Sequence, residues 1–192
     1  MKRKQILCTS AMLIVVALSS CKKDKNDANN NGGTGAKNQV TYTINGGTFN
    51  HQAITINANP NAMENGALSG SLDYLKINLD DAPADNTSSP KWALDIAFDK
   101  VGTGTANVND PITNTTQGAD KRVYFLLQVQ VNGQTKYLTS STTDPDQTPG
   151  TITVTKFESV GGTVEGTFEG TLQDGSDTYI ITGGHFVVTR KS

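Results

Sequence analysis

The sequence predicts an all-β fold, an antiparallel β-sandwich of about 8–10 strands, and three observations support this prediction. Aromatic residues make up only 6% of the chain and charged residues 18%, while Thr, Asn and Gly are abundant. Such a composition favours strands and turns over helices. Short segments alternate apolar and polar residues with the period of a half-buried strand. No segment long enough for a stable helix shows helical periodicity, and residues 60–70 are expected to hold one irregular turn at most.

The clearest alternation covers residues 91–99, where one face carries Trp92, Leu94, Ile96 and Phe98. Residues 122–131 repeat the pattern, with five apolar residues on the face that we expect to be buried: Val123, Phe125, Leu127, Val129 and Val131. Asn132-Gly133 then predicts a two-residue type I′ hairpin turn. This turn would place Leu127 opposite Leu138 in the next strand.

Further alternating segments predict the remaining strands, at residues 40–44, 54–56, 75–79, 151–157, 164–172 and 177–190. Turns between them are indicated by Asn45-Gly46-Gly47 and Asp174-Gly175-Ser176. In the last segment, Gly183-Gly184 predicts a β-bulge. The longer connections at residues 80–89 and 107–119 suit crossings between two sheets, so they favour a sandwich over a closed barrel.

The N-terminus has the layout of a secretory signal. A basic start at residues 1–5 precedes an apolar run at residues 6–18, and the small residues Ser19 and Ser20 lead to Cys21. The run is too short to span a bilayer as an anchor. We therefore assign residues 1–20 to a signal peptide, 21–38 to a lipidated Cys21 and a polar tether, and 39–192 to the β-sandwich domain. The tether has almost no apolar residue and cannot bury enough surface to fold.

Two local patterns resemble known lipoproteins. Leu18-Ser19-Ser20-Cys21 resembles the lipobox of bacterial lipoproteins, and the following Lys22-Lys23-Asp24 resembles the start of the Bacteroidetes type. The C-terminal pattern resembles small Bacteroidetes lipoproteins that have no assigned activity, through Gly166-Thr167-Phe168-Glu169-Gly170-Thr171-Leu172 and Ile181-Thr182-Gly183-Gly184-His185-Phe186. The resemblance implies acylation of Cys21, for example with palmitate, and attachment to the outer membrane. Display of the domain on the cell surface is a further possibility that the resemblance leaves open. It carries over no functional residue of the domain.

The charge of the chain excludes some classes of partner. Removing the three cationic residues of the signal peptide from the formal net charge of -2 leaves -5 for the mature chain. An acidic protein without a basic stripe is a poor nucleic-acid binder, so no nucleic-acid partner is expected. It has no electrostatic attraction to an anionic membrane either, so attachment must come from lipid. The single cysteine left after processing rules out a disulfide within the chain.

Paired carboxylates on one strand do not suit glycan hydrolysis. Glu165 and Glu169 share a strand face, as do Asp95 and Asp99, and each pair is about 13 Å apart along its strand. Glycosidases need about 5–9.5 Å between the two carboxyl groups. A pair assembled across strands stays open. We therefore predict no catalytic residue and no enzymatic activity.

Metal and nucleophile sites are also not indicated. His51 and His185, the two histidines, lie at opposite ends of the domain sequence, and no serine sits in a nucleophile-elbow pattern. Calcium is the least implausible ion, with Asp80, Asp81 and Asp85, or Asp144 and Asp146, as candidate ligands, but no spacing matches a calcium loop. Turns favour aspartate for their own reasons, which accounts for the acidic loop residues Asp80, Asp81, Asp85, Asp144 and Asp146. No metal or cofactor is predicted.

Four tyrosines are the candidate ligand-binding residues, because Tyr74, Tyr124, Tyr137 and Tyr179 lie on the polar faces of predicted strands or near strand ends. Trp92 shares the apolar face of its strand and is expected inside. The sequence thus favours a non-enzymatic, lipid-anchored envelope protein, a binding or structural module whose partner is a glycan or an envelope protein. The alternative is a carbohydrate-binding accessory lipoprotein of a polysaccharide-uptake system.

Overall fold

Eleven antiparallel strands form the described part of the computed structural model, which covers residues 38–59, 65–69, 74–83, 89–108, 123–140 and 149–192. The strands are β1 Gln39–Gly46, β2 Phe49–Asn57, β3 Gly66–Leu68, β4 Leu75–Asp80, β5 Ala93–Phe98, β6 Gly104–Asn107, β7 Tyr124–Val131, β8 Gln134–Thr139, β9 Gly150–Phe157, β10 Thr163–Asp174 and β11 Asp177–Thr189. The predicted signal peptide, Cys21 and the tether up to residue 37 lie outside the described residues.

The all-β antiparallel fold predicted from the sequence is confirmed. Burial alternates along the strands as the apolar pattern requires, for example in β4, where Leu75, Ile77 and Leu79 are buried and the residues between them are half-buried. Nine of the strands match predicted segments. The other two, β3 and β6, were not predicted, and β3 lies within residues 60–70, where one irregular turn was expected.

The strands form one curled sheet that folds back on itself into two layers. The front sheet has the order β6-β9-β10-β11-β1-β2, and the back sheet has the order β3-β4-β5-β7-β8. Strand β10 belongs to both layers, because its first part pairs with β9 and its end pairs with β8 through Gln173 and Thr139. The predicted hairpin of β7 and β8 is confirmed: Asn132 and Gly133 both have positive φ, and Leu127 lies opposite Leu138.

Besides the pairing of β10 with β8, a second seam joins the two layers where β3 meets the end of β11. Ala67 forms a parallel bridge with Arg190, and the Ser69 hydroxyl donates to the Ser192 carbonyl at 2.7 Å. The Arg190 guanidinium donates to the Glu158 carbonyl at 2.9 Å and lies 4.3 Å from the centre of the Phe157 ring. Since a guanidinium is a planar fork of donors that also stacks on rings, this one side chain holds the seam to the β9–β10 turn.

The core lies between the two layers, with the inward residues of both sheets in one cluster. Phe168 of the front sheet contacts Phe125 of the back sheet, with ring centres 5.3 Å apart. Trp92 is half-buried and packs on Phe49 at 6.0 Å, in agreement with its predicted inward face. No helix in the ranges described above is long and apolar enough to span a membrane.

The C-terminal glycine pattern has a packing role. Gly166 lies opposite Phe186, and Gly184 lies opposite Phe168. A methyl group added at Gly166 would lie 2.5 Å from Phe186 Cζ, and one at Gly184 would lie 2.9 Å from Phe168 Cδ1. Each ring therefore covers the glycine of the neighbouring strand. The predicted bulge is also confirmed, because β11 has one extra residue at Gly183 in its pairing with both β1 and β10.

Tyr42 brings a polar group into this core. It is 3% exposed, and its hydroxyl forms no hydrogen bond with any residue that the structure describes. Burial, with a smaller contribution from the negative charge of Asp81, raises the pKa of Tyr42 far above its usual value. The hydroxyl is therefore desolvated without compensation, which typically costs about 1–3 kcal/mol.

Replacing Tyr42 with phenylalanine is expected to leave stability unchanged or to raise the free energy of unfolding by about 1 kcal/mol, because the ring stays and the unpaired hydroxyl goes. Urea unfolding of the two proteins at neutral pH measures this difference. A loss of more than about 1 kcal/mol would mean that the hydroxyl has a partner in solution, contrary to this interpretation.

Candidate functional site

The candidate tyrosines do not form one cluster. Tyr179 is buried at 2% exposure and packs 6.2 Å from the Phe49 ring, so its assignment to an exposed patch is wrong. The bulge at Gly183 explains the error, because one extra residue switches the face of a strand. Before the bulge the odd-numbered residues Tyr179 and Ile181 point inward; after it the even-numbered ones do.

The other three tyrosines lie on or beside the back sheet. Tyr124 on β7 is half-buried and Tyr137 on β8 is 57% exposed, and both belong to its outer face. Tyr137 lies opposite Gln128, four residues along β7 from Tyr124, a separation of about 13 Å. Tyr74 directly precedes β4 and is half-buried. The two outward rings therefore flank a surface and do not stack side by side.

Between these tyrosines and β4, the outer face of the back sheet forms a shallow cavity of about 230 Å³, called here the aspartate trough. Its lining comprises Asn78, Leu79, Asp80, Pro90, Ala93, Leu94, Asp95, Leu126 and Gln128. Two cross-strand rows build it, Asn78–Asp95–Leu126 and Asp80–Ala93–Gln128, and the row Lys76–Ala97–Tyr124 lies beside it. The small side chains of Ala93 and Ala97 flank Asp95, so this carboxylate stands in a depression between the longer side chains of β4 and β7.

Asp95 is the polar centre of the trough. Its side chain is 32% exposed, and its carboxylate lies 3.9 Å from the Lys76 ammonium. The side-chain amide of Asn78 is best satisfied when its nitrogen faces the carboxylate, and in this orientation Asn78 donates to Asp95 Oδ1 at 3.1 Å. Burial raises the pKa of Asp95, and the positive charge of Lys76 opposes this increase. A partly desolvated carboxylate in a concave surface is a frequent feature of functional sites.

The Asp95 carboxylate is expected to reduce stability. Because its pKa is raised in the folded state, the folded protein binds the proton more tightly than the unfolded chain, and wild-type stability falls as pH rises above the ordinary value of 3.8 towards and through the folded pKa. Asp95→Asn is therefore expected to be more stable than the wild type at pH 7, with a smaller difference at pH 3. Urea unfolding of both proteins at the two pH values measures the difference in the free energy of unfolding. The prediction would be contradicted if the variant gained less stability over wild type at pH 7 than at pH 3.

The trough also holds the cross-strand carboxylate pair that the sequence left open. Asp80 pairs with Ala93, two residues from Asp95, so the two aspartates are diagonal neighbours about 7–8 Å apart at Cα. Both carboxylates already have local partners, since Asp80 Oδ1 accepts from the backbone N–H of Ala82 at 2.9 Å. Asp95 Oδ1 accepts from the Asn78 amide, and Oδ2 lies 3.9 Å from the Lys76 ammonium.

The outer face of the front sheet carries a larger concave surface, called here the threonine groove. It consists of two adjoining cavities of about 420 and 380 Å³, which share Thr151 and Glu169. The first is also lined by Asn107, Pro149, Gly150, Gly170, Thr171, Ile180, Ile181 and Thr182. The second is also lined by Thr153, Thr167, Phe168, Gly183, Gly184 and His185. The depressions lie where glycines have no side chain to fill them, and threonine hydroxyls form the walls.

Strand register places the hydroxyls of this face in rows. One row runs across six strands as Thr105–Thr153–Thr167–His185–Thr41–Thr55. Within it, the hydroxyls of Thr105 and Thr153 are 2.9 Å apart. Ile180, at 49% exposure, adds an apolar contact at one end of the groove. The groove can therefore offer many hydrogen-bonding groups and one apolar contact to a ligand.

The charged groups of the groove are exposed. His185 Nε2 lies 3.0 Å from Glu165 Oε1, with the two side chains 42% and 38% exposed. Glu169 stands between the two cavities and forms no ion pair with another residue of the described ranges. Glu165 and Glu169 remain four residues apart on one strand, so the structure does not bring them within the distance that hydrolysis needs.

The structure places the other candidate residues as follows. His51 lies near the start of β2, where its backbone N–H donates to Asn45 Oδ1, whereas His185 lies opposite Thr41, so the two histidines do not meet. Asp81 accepts from the backbone N–H groups of Lys91 and Trp92, a turn-stabilising role. Asp85, Asp144 and Asp146 lie outside the described residues. Within the described residues, no three potential metal-binding side chains group together.

Comparison with known proteins finds no matching family model, no similar curated protein and no similar solved structure.

Proposed function

We propose that this chain is a lipid-anchored protein of the bacterial outer membrane whose β-sandwich binds a ligand without chemical change. The anchor is inferred from the lipobox-like sequence ending at Cys21 and from the polar tether behind it. The binding role is inferred from the threonine groove, the largest of the concave surfaces described above. Clefts with a few convergent polar groups are the usual location of ligand sites.

The chemistry of the groove favours a ligand rich in hydrogen-bonding groups. Threonine hydroxyls both donate and accept, and the Glu169 carboxylate only accepts. Neutral polysaccharides and extended peptides of the envelope both present such groups. The mature net charge of -5 derived from the sequence disfavours strongly anionic ligands.

Blocking the groove tests this proposal. Full-length protein in detergent micelles is screened against arrayed envelope polysaccharides and peptidoglycan fragments. Wild type is expected to bind at least one of them, and the double variant Thr151→Arg/Thr167→Arg is expected to lose that binding because two long side chains fill the cavities. Thr135→Arg, on the exposed β8 strand of the back sheet, is the matched control and is expected to bind as wild type does. Equal binding by the groove variant, or no binding by wild type, would contradict the proposal.

A second candidate function, a carbohydrate-binding accessory of a polysaccharide-uptake system, is favoured by the aspartate trough. There a carboxylate, an amide and a tyrosine ring belong to adjacent rows of one sheet face. An outer-membrane sugar transporter encoded beside this chain would support this function, and a neighbourhood of unrelated genes would count against it.

A further inference from the structure

The aspartate trough differs in chemistry from the threonine groove. Its lining combines the carboxylates of Asp80 and Asp95 and the amides of Asn78 and Gln128 with the apolar side chains of Pro90, Ala93 and Leu126, whereas hydroxyls dominate the polar groups of the groove. Apolar surfaces with a small number of placed polar groups are typical of small-molecule sites. Its volume of about 230 Å³ is below the range of drug-sized pockets. It therefore fits one small ring better than an extended chain.

The polar groups of the trough match a sugar diol. The Asp95 carboxylate is an acceptor with about a third of its surface exposed, and the Asn78 amide and the Lys76 ammonium beside it are donors. Each hydroxyl of a sugar both donates and accepts. Two neighbouring hydroxyls can therefore donate to the carboxylate while one of them accepts from the amide or the ammonium. Such charge-assisted hydrogen bonds are the strong ones.

The apolar side of the trough matches the other face of a sugar ring. Tyr124 lies in the row next to Asp95, two residues from Leu126 on β7. A tyrosine ring presents a flat apolar body with a polar tip, which suits the C–H face of a pyranose. The two carboxylates of Asp80 and Asp95 against the single ammonium of Lys76 leave the trough net negative, so an anionic sugar would be repelled.

We propose that the aspartate trough binds a single neutral sugar residue of a glycan, with Asp95 accepting from two of its hydroxyls and Tyr124 covering its C–H face. This inference rests on the second candidate function and specifies its ligand class. A role of Asp95 in binding would explain why the protein carries a carboxylate that is expected to lower the stability of its fold. Retention of a destabilising group at a binding surface is a common trade-off.

The probes are methyl glycosides of glucose, galactose, mannose, N-acetylglucosamine and glucuronic acid, titrated into full-length protein in detergent micelles and followed by saturation-transfer NMR. At least one neutral glycoside is expected to bind, with methyl glucuronide at least about tenfold weaker because of charge repulsion. Asp95→Asn is expected to weaken binding about tenfold, the effect of one charge-assisted hydrogen bond. Tyr124→Ala is expected to weaken it, whereas Tyr124→Phe retains the ring and is expected to keep it.

Val160→Arg, at the exposed β9–β10 turn and outside both concave surfaces, is the control for location and is expected to leave glycoside binding unchanged. Thermal unfolding of each variant shows whether it is folded. Absence of binding to every neutral glycoside, or unchanged binding in folded Asp95→Asn and Tyr124→Ala, would overturn the proposal. Release of free sugar and methanol would also overturn it, because the pair Asp80 and Asp95 would then act catalytically. Binding of an arrayed polysaccharide at the threonine groove in the same protein would leave the first proposed function in place.

Discussion

Gly166→Ala is expected to lower the free energy of unfolding by about 3 kcal/mol, at the upper end of the usual cost of overpacking. The added methyl group would overlap the Thr153 carbonyl oxygen and would also lie 2.5 Å from Phe186 Cζ. A ring can tilt away, but a backbone oxygen held in the β9–β10 pairing cannot move without breaking that pairing. For a chain of this length the loss corresponds to roughly 6–12 °C in the melting temperature.

Gly183→Ala is the matched control, because nothing lies within 4 Å of the position where its methyl group would be placed. Its φ of +61° still disfavours a side chain, at about 1 kcal/mol. Differential scanning calorimetry of the two variants separates steric overlap from backbone strain. If Gly166→Ala melts within 2–3 °C of wild type (roughly 1 kcal/mol), the close packing of rings over glycines does not hold the front sheet.

Cys21→Ser is expected to abolish acylation. Replacing the sulfur removes the atom that carries the lipid, so labelled palmitate should no longer enter the protein, and the protein should leave the outer-membrane fraction. The effect is large because each buried CH₂ contributes about 0.8 kcal/mol and stable anchoring needs more than one acyl chain. The net charge of -5 expected for the processed chain gives no electrostatic attraction to an anionic membrane that would compensate for this loss.

Cys8→Ser is the matched control for the anchor. Cys8 lies within the predicted signal peptide, which we expect to be removed, so this variant should incorporate palmitate as wild type does. Metabolic labelling followed by separation of inner and outer membranes measures both variants. Palmitate in the Cys21→Ser protein, or its loss from Cys8→Ser, would contradict the assignment of the lipid to Cys21.

Local patterns predicted most strands of this fold because alternation is a property of the strand itself. The Asn132-Gly133 turn and the Leu127–Leu138 pair were predictable for the same reason, since a two-residue turn fixes register. The short strands β3 and β6 have three and four residues, too few for an alternation to be recognised. They exist because neighbouring strands supply their hydrogen-bond partners.

Neither concave surface could be predicted. The threonine groove lies mainly on the consecutive strands β9, β10 and β11, but it depends on register shifts that the alternation does not reveal. The aspartate trough depends on pairings between segments that are distant in sequence. Asp95 meets Asn78 and Leu126 only through the β4–β5 and β5–β7 pairings, and long connections separate those strands. Tyr179 was misplaced for a different reason. The bulge at Gly183 shifts the alternation, so the residues before it that point inward are odd-numbered and those after it are even-numbered. A single extra residue exchanged the inner and outer positions of half the strand.

The membrane anchor is tested most directly by the mass of the N-terminal peptide of mature protein purified from the outer-membrane fraction. We predict a chain that begins at Cys21 and carries the added mass of a thioether-linked diacylglycerol. An unmodified Cys21, or a mature chain that begins at any other residue, would contradict the proposal that this acidic β-sandwich is held at the envelope by lipid.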